Sequence, residues 1–176
     1  ALDQFNNDWI TLVVNGYGLN TSTMDLLETF NGIPDPNAPT GRFASIIMKP
    51  FIALSGSTLE NPSSITDARK ENVTIAVCPA PLSKGMQYEA AANACLLQAR
   101  IAQDTPQLDI SGNFYADMPT PTTIGAMESY SSRDEYIKKG CSTVELVSGK
   151  YKMVDFVTTY HPVGEEPAQF RYVRNL

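Results

Sequence analysis

Residues 13–30 read VVNGYGLNTSTMDLLETF, an apolar strand pattern followed by two glycines and a helix pattern. Phosphate-binding loops begin in this way, because glycines let backbone amides approach a pyrophosphate at a helix N-terminus. A dinucleotide fingerprint needs a third glycine where this chain, after Gly16 and Gly18, has Thr21. A Walker loop needs Lys and then Ser or Thr after its last glycine, and neither follows Gly18. The stretch therefore reads as a turn over residues 15–18. Residues 21–23 supply a helix cap and Asp25 sits in the first helical turn.

Other chemistry is equally thin. His161 is the single histidine, so imidazole catalysis would have to use it, yet Pro162 follows directly and the site is the end of a strand pattern. No serine lies after His161, which removes the triads that place serine last, and no Gly-x-Ser-x-Gly elbow occurs. The 19 acidic residues leave a dispersed carboxylate site open, with Asp3, Asp67, Asp104 and Asp109 the positions to locate. The adjacent Glu165 and Glu166 lie between Gly164 and Pro167, a solvated-loop context. One histidine and three widely spaced cysteines give no soft-ligand pair for a metal, only an unspecified oxygen cage. Tyr17, Tyr88 and Tyr172 are scattered and form no stacking platform among basic residues. The sequence nominates no catalytic, cofactor-binding or metal-binding residue.

The totals narrow the class. A chain of 176 residues suits one domain with a core that needs no staples. A net charge of −6, with 13 scattered Lys and Arg, argues against nucleic acid as a partner. Cys78, Cys95 and Cys141 are odd in number and widely spaced, which implies reduced, buried thiols. No apolar run is long enough for a membrane span and no signal-peptide pattern is visible, so a soluble protein made in a cytosol is expected. The start without Met and the unfinished stretch 168–176 suggest a fragment of a longer chain.

The elements that would position any site follow from periodicity. A strand is predicted over 9–14, a helix over 24–30 ending at Asn31-Gly32, and a proline-rich loop over 32–41. Residues 43–48 and 51–54 read as a second strand region, with Pro50 marking an edge, bend or bulge. A third strand is predicted over 73–78. The six alanines of MQYEAAANACLLQARIAQ mark a long, closely packed helix. SSRDEYIKKG reads as a helix with a Ser132–Glu135 capping box. STVELV and KYKMVDFVTTY flank Ser148-Gly149 as a hairpin. The expected fold is α/β: a mixed, partly parallel sheet flanked by helices, with a β-hairpin near the C-terminal end and no internal repeat.

Taken in order, several stretches resemble the tail sheath proteins of contractile phages, in particular the Mu-like branch. DWITLVVNGYG resembles the Trp-containing strand and turn that open that family's core. YEAAANACLLQARIAQDTPQLDISG is similar to its alanine-rich helix and the Asp-x-x-x-Pro-Leu loop after it. Asp104, Pro106 and Leu108 echo that loop, without its arginine. SRDEYIKKGCSTVELVSGKYKMVDFVTTY matches a short helix, a glycine, a Ser-Thr-Val strand, a hairpin and a Thr-Thr-Tyr ending. FRYVRNL resembles the start of the helix that opens the family's C-terminal region.

The resemblance implies a subtilisin-like α/β topology without proteolysis, over a core of residues 1–164, with 165–176 the start of a truncated C-terminal region. It implies a structural subunit, not an enzyme, that polymerises helically around a tail tube and contracts to drive the tube through a host envelope. The implied partners are neighbouring sheath subunits, the tail tube protein and the baseplate, with no cofactor, nucleic acid or membrane insertion. The implied locations are the virion tail and, during assembly, the bacterial host cytoplasm. Terminal extensions in the family add strands to neighbouring sheets, and this chain lacks them, so the fragment alone is expected to be a monomer. A small α/β enzyme or a nucleotide-binding module with an unrecognised site is the alternative.

Overall fold

The computed structural model describes residues 2–5 and 8–162. Three parallel strands, β1 (Leu12–Asn15), β2 (Ile52–Ser57) and β3 (Ile75–Pro79), form a sheet in the order of the sequence. Leu12 pairs with Ile52 and Ala53 with Ile75, and the register continues without a break. Parallel neighbours require crossovers. These are supplied by α1 (Thr21–Asn31) and the short α2 (Ser63–Asp67). Crossovers of the usual right hand running the same way would put α1 and α2 on one face. Arg69, just after α2, ties that face together by ion pairs to Glu28 at 2.6 Å and Asp25 at 2.7 Å on α1.

The alanine-rich helix α3 (Gln87–Asp104) lies across β2 and β1. Its contact face is small, with Ala90, Ala91 and Ala94 fully buried. Gly56 on β2 meets it backbone to backbone, and any side chain there would collide with the Gln87 carbonyl. Glu89 reaches back to the Met86 amide at 2.9 Å and so caps the start of α3.

After α4 (Tyr130–Lys138) comes the expected hairpin, β4 (Thr143–Val147) and β5 (Lys150–Asp155), antiparallel with a bulge at Thr143/Val144. Ser148 and Gly149 both take positive φ, 51° and 71°, as the twist of a two-residue hairpin turn demands. Residues 112–115 run alongside β5, with Tyr115 N–H on Tyr151 O at 2.9 Å. The hairpin is tied to the end of β3 by two buried tyrosines. Tyr115 donates to Pro79 O at 3.3 Å and Tyr151 to Pro81 O at 2.7 Å. The core runs continuously from Met24 and Leu27 through Leu54, Ile75 and Val77 to Met153 and Phe156.

Several local expectations are corrected. Residues 43–48 are not strand. A 3₁₀ turn, Gly41–Phe43, and a further turn occupy this stretch, and Ile46, Ile47 and Met48 are exposed. The first strand begins at Leu12, which leaves Trp9 outside it and 75% exposed. The α1 cap is Asn20, which accepts from the Thr23 amide at 3.1 Å, so residues 21–23 are helix and Asp25 lies beyond the first turn. Helix α4 starts at Tyr130 after Ser129, which places Ser132 inside it and removes the Ser132–Glu135 capping box. The strand pattern that continues past β5 divides. Residues 157–159 leave the hairpin and run antiparallel to β3, with Thr158 opposite Ala76.

Candidate functional site

In open α/β sheets ligands bind beyond the carboxyl ends of the strands, where the strand order reverses. The three described parallel strands run in one direction without a reversal. At the end of β1, Asn15 folds the glycine turn onto itself. Its Nδ2 donates to Gly18 O at 2.7 Å and to Ser55 Oγ at 3.0 Å, and its Oδ1 accepts from the Tyr17 amide at 3.0 Å. Gly18 takes φ 59° and lies against the Gln87 carboxamide, which would collide with a Cβ there. The glycines thus serve a closed turn packed on α3, and the Thr23 amide at the α1 N-terminus is satisfied by Asn20.

The candidate acids stand in separate places. Asp67 faces His161 at 3.1 Å, Asp104 ends α3, and Asp109 holds the Ser111 amide at 2.9 Å. The side chain of Asp3, together with Glu165, Glu166, Tyr172 and the FRYVRNL stretch, lies outside the described residues. Among the described residues no group of three His, Cys, Asp or Glu side chains could hold a metal ion. Cys78 and Cys141 are fully buried and Cys95 is half-buried, all three as free thiols. Burial pushes all three thiols up from their ordinary range, and for Cys78 the nearness of Cys95 and Cys141 adds to the shift. Thiols held neutral in this way are poor nucleophiles. No described helix is long and apolar enough to cross a membrane.

What the structure assembles is a surface. Thr11 O accepts from Ile52 N–H at 2.9 Å, so the parallel pattern turns the backbone groups of Leu12 and Val14 away from β2, where no described strand pairs with them. The opposite edge of the sheet is covered by residues 157–159. Exposed Trp9, Val14 and Tyr17 accompany the open edge.

Arg42 organises the neighbouring surface, although it is only 2% exposed. Its guanidinium donates to Lys49 O at 2.6 Å, Phe5 O at 3.0 Å and Asp8 O at 2.7 Å, and lies over the rings of Phe30 and Phe51. Three carbonyls and two aromatic faces stand in for a carboxylate. The loop it closes carries Ile46, Ile47 and Met48, the last at φ 43°. Beneath this junction is an apolar cavity of about 250 Å³ lined by Leu2, Phe5, Ile10, Leu12, Phe30 and Phe51.

Arg42 and Gln87 do this positioning, and the sequence reading missed both. Their signal was only that polar residues interrupt or border apolar runs, which does not distinguish a buried polar anchor from a solvated one. No family model matches the chain, and no curated protein matches it.

Proposed function

We propose that the chain is a structural subunit of a contractile tail sheath, one that packs helically against copies of itself around a tail tube and repacks when the sheath contracts. The observation that carries this reading is the outer β1 edge, which no described strand pairs, with exposed Trp9, Val14 and Tyr17 beside it. An unpaired strand edge is a template for another chain, and apolar side chains around it add the area that main-chain hydrogen bonds alone do not provide. A helical array needs two different complementary patches on each subunit. The Ile46–Met48 loop, closed by Arg42, offers apolar surface apart from the strand edge itself. The order of motifs from the Trp-containing strand to the Thr-Thr-Tyr ending agrees with the same reading.

The test is assembly of the product of the whole parent gene. Ordered tubes in negative-stain images, abolished by Val14→Lys while the circular dichroism spectrum is unchanged, are the expected result. A parent product that stays monomeric and gains thermal stability with a nucleotide would replace this reading with the nucleotide-binding alternative.

A further inference from the structure

We propose that the apolar cavity beside β1 is a binding site for a small neutral, hydrocarbon-like molecule, about the size of one aromatic ring with a short alkyl group. Such a site is independent of assembly, since it lies within one copy of the chain. Four parts of the fold enclose it. Val13 of β1 and Phe51, just before β2, line it from the sheet, Leu27 and Phe30 from α1, and Leu2 and Phe5 from the 3₁₀ helix Leu2–Phe5. Leu27 and Phe51 are buried and belong to the core, whereas Phe5 is 43% exposed. The 3₁₀ helix is therefore the thin side of the cavity and the route by which a ligand enters.

The lining decides the class of ligand. Among the described residues Arg42 is the one polar side chain in it, and its guanidinium is turned to the carbonyls of Lys49, Phe5 and Asp8. The same group lies over the rings of Phe30 and Phe51, which keep their other surfaces for the cavity. Water is held in a protein interior only by several polar partners, so an apolar cavity of this kind stays dry. A charged or strongly polar ligand would lose its hydration there and gain no hydrogen bond. A neutral apolar ligand gives up little, and it makes the dispersion contacts that the void leaves unmade.

Size sets the scale of the ligand. The cavity measures about 250 Å³, and an engineered apolar cavity of about 150 Å³ in another protein takes benzene. One ring with a short alkyl substituent therefore has room. The space is also held open. Arg42 bonds to Phe5 O at 3.0 Å and to Asp8 O at 2.7 Å, and the Asp8 amide donates to Phe5 O at 3.1 Å, so the segment over the cavity is fixed by polar ties. The third bond, to Lys49 O at 2.6 Å, anchors the same guanidinium two residues before Phe51. A roof tied in this way cannot settle onto the apolar floor, and the void is not closed by repacking.

The test is a titration of the 176-residue chain with toluene, followed by carbon-13 methyl NMR. Saturable shifts at the Val13 and Leu27 methyls are expected, with a Kd of about 1 mM or tighter. The methyls of Val144, in the hairpin, should not move. Benzoate, similar in size but charged, should bind at least about tenfold more weakly. Val13→Phe and, separately, Leu12→Phe each place a larger side chain in the cavity. Whichever of them keeps the wild-type circular dichroism spectrum should lose the toluene shift at Leu27. Absence of saturation in the wild-type chain would overturn the proposal, as would shifts spread over exposed residues such as Leu26 and Ile46. Benzoate binding as tightly as toluene would overturn it too. So would a dimer in sedimentation that toluene dissociates, because the cavity would then take a side chain of a second copy.

Discussion

Asn31 and Phe51 are joined by a reciprocal pair of hydrogen bonds. Asn31 Nδ2 donates to Phe51 O at 2.8 Å, and the Phe51 amide donates to Asn31 Oδ1 at 3.0 Å. The side-chain amide at the end of α1 thereby replaces a strand partner for the residue just before β2. Its second proton goes to Thr74 Oγ1 at 2.9 Å, next to β3. One fully buried side chain thus fixes the end of a helix against the start of two strands.

Asn31→Ala leaves the Phe51 amide and carbonyl unpaired in the core. The expected loss is about 2–4 kcal/mol of unfolding free energy, read from urea denaturation with an unchanged slope. A loss below about 0.5 kcal/mol would mean that water replaces the side chain without penalty.

Arg42→Met keeps the length of the side chain and removes three donors from the carbonyls of Phe5, Asp8 and Lys49. A cost of about 2–4 kcal/mol is expected, with faster hydrogen exchange and proteolysis around residues 8–11 and 44–49. Arg42→Lys should fall close to Met, because a point ammonium cannot span three carbonyls in the plane of a guanidinium. If Lys restored wild-type stability, charge and not the fork would be what matters.

Gly56→Ala tests the approach of α3 to β2. The added methyl meets backbone at the Gln87 carbonyl, which cannot swing away as a side-chain end would. Overpacking of this kind costs about 1–3 kcal/mol and should lower the melting temperature. A neutral result would show that α3 shifts freely over the sheet.

Tyr151 predicts an alkaline limit. Burial pushes its phenol up to about 12, partly offset by a hydrogen bond from Ser83, and burial also holds the Tyr115 phenol well above its ordinary range. Both hydroxyls donate to carbonyls after β3, which requires the neutral form. The unfolded chain loses these protons first, so stability should be level near neutrality and fall as pH rises from about 10 towards about 12. Absorbance titration should show the Tyr151 and Tyr115 phenols, and Tyr136 to a lesser degree, ionising after the exposed ones, with one late ionisation missing in Tyr151→Phe. Two early, reversible ionisations with no loss of stability would contradict the packing described here.

The elements legible in the sequence were those whose signal is local. The alanine run specified α3, because small side chains at helical spacing permit close packing on a sheet. The apolar β-branched run over 73–78 specified β3, and two alternating runs around Ser148-Gly149 specified the hairpin. The stretch 43–48 misled for the same reason. Phe43, Ile46, Ile47 and Met48 have strand composition, but Arg42 bonds across the loop to Lys49 and leaves Ile46, Ile47 and Met48 facing out. A nonlocal bond overrode a local preference.

By itself the sequence determined the class of fold, the long alanine-rich helix, the third parallel strand, the hairpin, and the weakness of every familiar motif for phosphate, metal or nucleophile, but not α2 or the turns over 41–48. Tertiary structure alone decided that residues 157–161 cover β3 while no described strand pairs with the outer edge of β1, that Gln87 packs against the glycine turn, and that Arg42 and Asn31 are buried anchors. Periodicity records which face of an element is apolar, because that is set residue by residue along the chain. It carries no record of which backbone edge finds a partner, since every residue brings the same amide and carbonyl and only the folded arrangement determines where they point.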